Sequence, residues 1–132
     1  MIPNCRSKYH AKKVTCNGIV FDSGKEANRY ANLLMLERAG AISELKLQKR
    51  YELIPAQYET YERYGKNGKR LKDGRRCVEK SVVFVADFAY IDIDGNRVVE
   101  DVKGYKNSTA YDVFVIKRKL MLLVHGIRVR EV

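Results

Sequence analysis

Apolar positions along the chain change their spacing several times, and each change marks an element. Residues 14–21 are short and β-rich and are broken at Asn17-Gly18, which predicts a small hairpin. Over residues 24–39, Ala27, Tyr30, Ala31 and Leu34 recur at helical spacing. Ser23-Gly24-Lys25-Glu26 has the capping-box pattern at the start of that helix, and Gly40 is its stop. Residues 45–54 read as extended, with Leu45 and Leu47 alternating with Lys46 and Gln48, until Pro55. Residues 82–91 and 97–104 predict two more strands joined around Asp94-Gly95. Ser108 or Thr109 can cap a second helix reaching about residue 124, with Val113, Ile116, Leu120 and Val124 as its expected buried stripe. Gly126 ends it, and residues 127–132 predict a last short strand. The order is that of an α/β fold with a central mixed sheet flanked by helices. No repeat or dividing linker appears, so residues 1–132 read as a single domain.

Residues 56–80 break this pattern. Tyr58, Tyr61 and Tyr64 are interleaved with charge. Residues 63–76 then carry seven cations (Arg63, Lys66, Lys69, Arg70, Lys72, Arg75, Arg76) against one acid, Asp73. Gly65, Gly68 and Gly74 suggest flexibility, and the segment predicts a basic hairpin or loop inserted between two strands. One reading is a solvated, solubilising loop. The other is an arm that tracks phosphates. The whole chain carries a net charge of +10, which favours the second and points to a polyanionic partner, nucleic acid first among them.

The chain's other features narrow the class. Hydrophobic residues make up 45% and tyrosines number nine, which argues for a globular fold. No signal-peptide core, transmembrane run or strongly amphipathic basic helix appears, so the expectation is a cytoplasmic protein without a membrane partner. Cys5, Cys16 and Cys77 are odd in number and read as reduced thiols. Cys5, His10 and Cys16 lack the CxxC spacing of a structural zinc site. No GxxxxGK[ST] phosphate loop is present. His10 and His125 read as structural or solvated.

The informative anomaly is a carboxylate inside an apolar strand. Asp87 interrupts Val82-Val83-Phe84-Val85-Ala86 and Phe88-Ala89-Tyr90-Ile91, and the next strand ends in Asp101-Val102-Lys103. A buried charge is costly unless it is paired or bound to metal. With a two-residue turn at Asp94-Gly95, Asp87 would face Val102. With a three-residue loop, Ile93-Asp94-Gly95, Gly95 takes the left-handed position and Asp87 lies opposite Asp101, Cβ atoms roughly 4.5–5.5 Å apart. Lys103 then falls on the same face. We predict the three-residue loop, because a cation between the carboxylates would relieve their repulsion. Glu100 alternates to the other face and reads as structural, paired with a basic neighbour.

These residues resemble the PD-(D/E)xK nuclease superfamily. Ala86-Asp87 stands where the family has Pro-Asp, and Asp101-Val102-Lys103 matches (D/E)xK. The ordered set Phe21-Asp22-Ser23-Gly24-Lys25-Glu26-Ala27, Gln48, Ala86-Asp87-Phe88, Val99-Glu100-Asp101-Val102-Lys103-Gly104 and Lys117-Arg118-Lys119-Leu120 is closer still to a group of small bacteriophage proteins. Those are similar to dimeric Holliday-junction resolvases. The resemblance implies a restriction-endonuclease-like core and a metal-dependent endodeoxyribonuclease cutting branched DNA, four-way junctions above all. It implies Mg²⁺, with Mn²⁺ as a substitute, held by Glu26, Asp87, Asp101 and the Val102 carbonyl. Lys103 would complete the catalytic set. Gln48 would lie near the scissile phosphate, and Lys117, Arg118 and Lys119 would join the arm in holding DNA. It also implies a homodimer, acting in the cytoplasm of a host cell. Glu26 has a competing structural role as the third residue of the capping box. Two alternatives stand beside the resolvase: a nuclease of this fold acting on flaps or duplex, and a non-catalytic DNA-binding protein with a degenerate nuclease fold.

Overall fold

Residues 13–104 and 106–132 are described in the computed structural model. Asn17 and Gly18 both take positive φ (52° and 80°) and so turn β1 (Val14–Cys16) back onto β2 (Ile19–Phe21). Helix α1 (Gly24–Arg38) follows, capped by the Ser23 hydroxyl, which accepts from the Glu26 amide at 3.2 Å. It ends at Ala39, with Gly40 left-handed beyond it. Then come β3 (Ile42–Ile54), β4 (Gln57–Tyr64), β5 (Arg70–Glu79), β6 (Val82–Asp92) and β7 (Arg97–Asp101). Helix α2 (Thr109–His125) and β8 (Val129–Glu131) close the chain. The extended segment expected from residue 45 starts earlier, at Ile42, and takes up a bulge between Ser43 and Lys46.

The main sheet has the order β3-β6-β7-β8, antiparallel except for the β7–β8 pair. It is a central mixed sheet in an α/β chain. One apolar cluster joins it to α1 and the first hairpin through Ala27, Tyr30, Leu33, Phe21, Phe88 and Val98. The other joins it to α2 through Phe84, Ala86, Val99, Phe114, Met121 and Val129. Val98 and Val99 fall in different clusters because successive strand residues point to opposite faces. Along β6, Phe84 and Ala86 belong to the α2 side and Phe88 and Tyr90 to the α1 side, so the strand's inward face changes across Asp87.

The stripe expected to bury α2 is a correction. Phe114 and Met121 are its buried residues, two turns apart. Val113, Ile116 and Val124 are exposed and Leu120 is half-buried. The helix has two apolar faces, and periodicity alone selected the outer one. His125 is structural as expected: its Nε2 meets the Glu52 carbonyl at 2.7 Å, and its ring lies edge-on to Tyr51.

The basic insertion is a two-stranded ribbon, β4 paired with β5, that joins neither of the other sheets. One of its three glycines has a packing role that its sequence did not signal. Gly74 is a seat: a Cβ there would lie 2.3 Å from Tyr61 Cζ, so the ring packs on bare backbone. Cys16 is buried in the α1-side cluster and Cys77 is an exposed thiol on β5. Cys5 and His10, weighed for zinc, lie outside the described residues.

Candidate active site

The β6–β7 hairpin sets the site. The Asp92 amide donates to the Asn96 carbonyl at 2.9 Å, leaving Ile93-Asp94-Gly95 as a three-residue loop with Gly95 at φ 84°. Asp92 Oδ1 also accepts from the Asp94 and Asn96 amides, which holds the turn. Phe88 pairs with Glu100 and Ala89 with Val99, so Asp87 stands opposite Asp101 in the same register. The two carboxyls are near enough for each to influence the other's protonation. Asp87 Oδ2 accepts from the Val102 amide at 2.8 Å, and Asp101 is ion-paired with Lys103. The Lys103 ammonium also sits 3.8 Å from the centre of the Phe114 ring.

Strand β3 and helix α1 complete the cluster. Gln48 interrupts the ladder that β3, an edge strand, makes with β6; it takes φ 50° between the Leu47–Phe88 and Lys49–Ala86 pairs. Its Nε2 donates to Glu26 Oε1 and to Asp87 Oδ1, both at 3.2 Å. A left-handed glutamine in a strand is strained, and such strain gathers at functional sites. Glu26 is buried on α1 and its carboxylate turns toward Gln48 and Asp87. The capping box is therefore half formed: Ser23 caps Glu26, and Glu26 serves the cluster.

The electrostatics are unbalanced. Burial raises the Glu26 carboxyl, and Asp22 nearby raises it further. Burial likewise raises Asp87 against the pull of the Val102 amide. For Asp101, burial and the neighbouring Asp87 outweigh Lys103 and push the carboxyl up to about 6. Three raised carboxyls around one lysine and one amide form a site short of positive charge. Hard oxygen donors of this kind suit Mg²⁺. Yet among the described residues no three His, Cys, Asp or Glu side chains already converge as a metal group. Gln48 stands between Glu26 and Asp87, and Lys103 occupies Asp101.

Glu100, adjacent to Asp101 in the chain, is the opposite case. It is 0% exposed, and burial alone would raise its carboxyl. Two hydrogen bonds from Arg29, at 2.7 and 2.6 Å, and one from the Tyr90 hydroxyl hold it below the usual range. The expected basic partner is thus Arg29, and Tyr90 joins it.

A cleft of about 260 Å³ opens beside Asp101 and Lys103, walled by Val83, Val85, Val113, Phe114 and Lys117. The expected DNA-holding residues divide. Lys117 donates to the Val83 carbonyl at 3.0 Å and Arg118 pairs with Glu131 at 3.1 Å, so both are engaged within the fold; Lys119 is exposed. In the ribbon, Arg70 is paired with Asp73 and Arg76 with Glu59, and Arg75 lies over Tyr58. Arg63, Lys66, Lys69 and Lys72 are exposed and make no ion pair among the described residues. Sequence reasoning missed Phe114 under Lys103 and Lys25, whose ammonium donates to the Lys103 carbonyl. Both come from distant stretches of the chain, and nothing local signals them.

Residues 6–126 match the model of a family described as a protein of unknown function, DUF1064. The chain belongs to that family. The match runs from before β1 to the C-cap of α2, so it spans the acidic cluster, the ribbon and the main sheet of this DUF1064 chain. No curated protein and no solved structure matches it.

Proposed function

We propose that this DUF1064 chain is a metal-dependent endodeoxyribonuclease with a restriction-endonuclease-like core, acting on branched DNA as a Holliday-junction resolvase. The observation that carries the reading is the alignment of Asp87 with Asp101 across the β6–β7 hairpin, with Lys103 on Asp101 and with Gln48 and Glu26 against Asp87. Carboxylates brought together at this density, each protonated more readily than usual, fit a group that binds a divalent cation. Asp87, Asp101 and Glu26 would hold Mg²⁺ or Mn²⁺, with the Val102 carbonyl beside them. The ion, when bound, lowers the pKa of its water and offsets charge on the phosphate.

The protein groups have separate tasks in this reading. Lys103, released from Asp101, orients the attacking water or neutralises the phosphate as a fixed cation. The Val102 amide keeps Asp87 aimed into the cluster. Gln48 holds Glu26 and Asp87 in place and reaches toward the scissile phosphate. The ribbon supplies phosphate contacts. A second copy would present a second site for symmetric cutting, and the exposed apolar face of α2 offers a surface for it.

A second reading has its own support. Gln48 and Lys103 already satisfy the carboxylates without metal, which suits a DNA-binding protein that does not cut. Labelled four-way junction, flap and duplex DNA, incubated with Mg²⁺ or Mn²⁺ and wild type or Asp101→Asn, separate the two. The expected result is paired nicking of the junction, lost by ~10²-fold or more in the variant. Cleavage of all three substrates gives a less selective nuclease. Binding without cleavage in either metal leaves the second reading.

A further inference from the structure

The β4–β5 ribbon carries more than charge. Alternation along β4 puts Tyr58, Thr60, Glu62 and Tyr64 on one face and Glu59, Tyr61 and Arg63 on the other, with the extra residue of a bulge between the Tyr61 and Arg63 pairs taken up on β5. Each tyrosine has an arginine near it: Arg75 lies 3.6 Å from the Tyr58 ring centre, Arg76 lies 5.0 Å from that of Tyr61, and Arg70 pairs across the strands with Tyr64. Aromatic rings and cations thus alternate on both faces.

Some of this serves the ribbon itself. A two-stranded hairpin standing alone is marginal in water. Tyr61 packed on Gly74, and the guanidiniums over Tyr58 and Tyr61, support its inner half. That account does not reach the outer half. Tyr64 is 57% exposed, no cation stacks on its ring among the described residues, and its hydroxyl donates to Glu62. Four cations with neither an ion pair nor a ring contact among the described residues, Arg63, Lys66, Lys69 and Lys72, surround it in sequence. Tyr58, six residues away on the same face and about 20 Å distant at strand rise, is 50% exposed.

We infer that the ribbon binds unpaired nucleotides, its tyrosines stacking on bases while the tip cations contact phosphates. The inference rests on the DNA reading above and adds which region of the substrate the arm selects. A duplex hides its base faces in its own stack, whereas a single strand or a junction centre offers them. Stacking on aromatic rings with cations along the backbone is how unpaired nucleic acid is held without sequence preference.

The test uses the full chain with divalent metal chelated. Fluorescence anisotropy is read on a labelled oligothymidine strand and on a duplex of equal length. Tyr64→Ala should weaken strand binding by about five-fold to a hundred-fold and leave the duplex within about two-fold. Tyr64→Phe, which keeps the ring, should match wild type. Circular dichroism and melting temperature confirm that each variant folds. Alanine variants at Tyr58 and Tyr64 that bind the strand as wild type does would overturn the inference. Equal losses on strand and duplex would do the same, as would a preference for an acidic polypeptide over oligothymidine. The nuclease reading is judged separately. Tyrosine-dependent strand binding without cleavage of junction DNA under Mg²⁺ or Mn²⁺ keeps this inference and removes that reading; junction cleavage with strand binding unchanged in the tyrosine variants does the reverse. Failure of the wild type to bind any DNA removes both.

Discussion

Asp101 is where burial and charge conflict most directly. Its folded carboxyl sits at about 6 against an ordinary 3.8. Below 3.8 both folded and unfolded chains hold the proton, and the group's favourable contribution is fully present. As pH rises through about 6 the folded chain must ionise a buried carboxyl beside Asp87, and that contribution is lost. Urea unfolding in chelator should therefore show stability falling between about pH 4 and about pH 7. Asp101→Asn should flatten the slope and exceed wild type at the upper end. A wild-type slope unchanged by the variant would mean that Asp101 is not the group responsible. Glu100 gives the contrasting case. Arg29→Met leaves a fully buried carboxylate without its cation and should cost about 3–5 kcal/mol. Adding Glu100→Gln should recover most of that loss, which a thermal melt of the two variants decides. At this scale the sequence was informative where turn chemistry fixes register. Gly95 is the residue of the loop that takes a positive φ, so the facing of Asp87 and Asp101 could be read in advance. The left-handed Gln48 could not, since its backbone depends on β3 and β6 together.

Helix α2 shows how periodicity finds an element and still misplaces its face. Val113, Ile116, Leu120 and Val124 repeat at helical spacing, as do Phe114 and Met121 on the other side. The sheet accepts the second set because Phe114 meets Phe84 with ring centres 6.1 Å apart. The outer face stays uncovered, with Ile116 60% and Leu123 80% exposed. Each such side chain would gain about 1.5–3 kcal/mol on full burial. If the proposed homodimer uses this face, Ile116→Lys with Leu123→Lys should halve the mass seen by light scattering and leave the melting temperature of the fold within a few degrees. A wild type that is monomeric at high concentration would remove this role for the face. The same Val113 walls the cleft beside Asp101 and Lys103, so a second copy on α2 would also border the site.

On the scale of the whole molecule, charge and fold are partly segregated. The core elements pair many of their cations internally: Arg29 with Glu100, Arg118 and Lys106 with Glu131, Lys103 with Asp101. The ribbon pairs Arg70 and Arg76, lays Arg75 over Tyr58, and leaves Arg63, Lys66, Lys69 and Lys72 exposed with neither kind of partner among the described residues. Composition revealed the +10 balance but not this division, because ion pairing depends on which strands face each other. The division makes a quantitative prediction. Each phosphate contact contributes a slope of about −0.9 to the dependence of log K on log salt for duplex DNA, and about −0.7 for a single strand. Replacing Arg63, Lys66, Lys69 and Lys72 together with glutamine should make the slope shallower by about 3 to 4 on duplex and by about 3 on a strand. Melting temperature should stay near that of wild type, since none of the four makes an ion pair among the described residues and the ribbon joins neither other sheet. The same four replacements in residues that only solubilise the chain would lower solubility and leave the salt slope unchanged. Titration of binding across a range of potassium chloride concentrations, wild type beside the quadruple variant, distinguishes these outcomes.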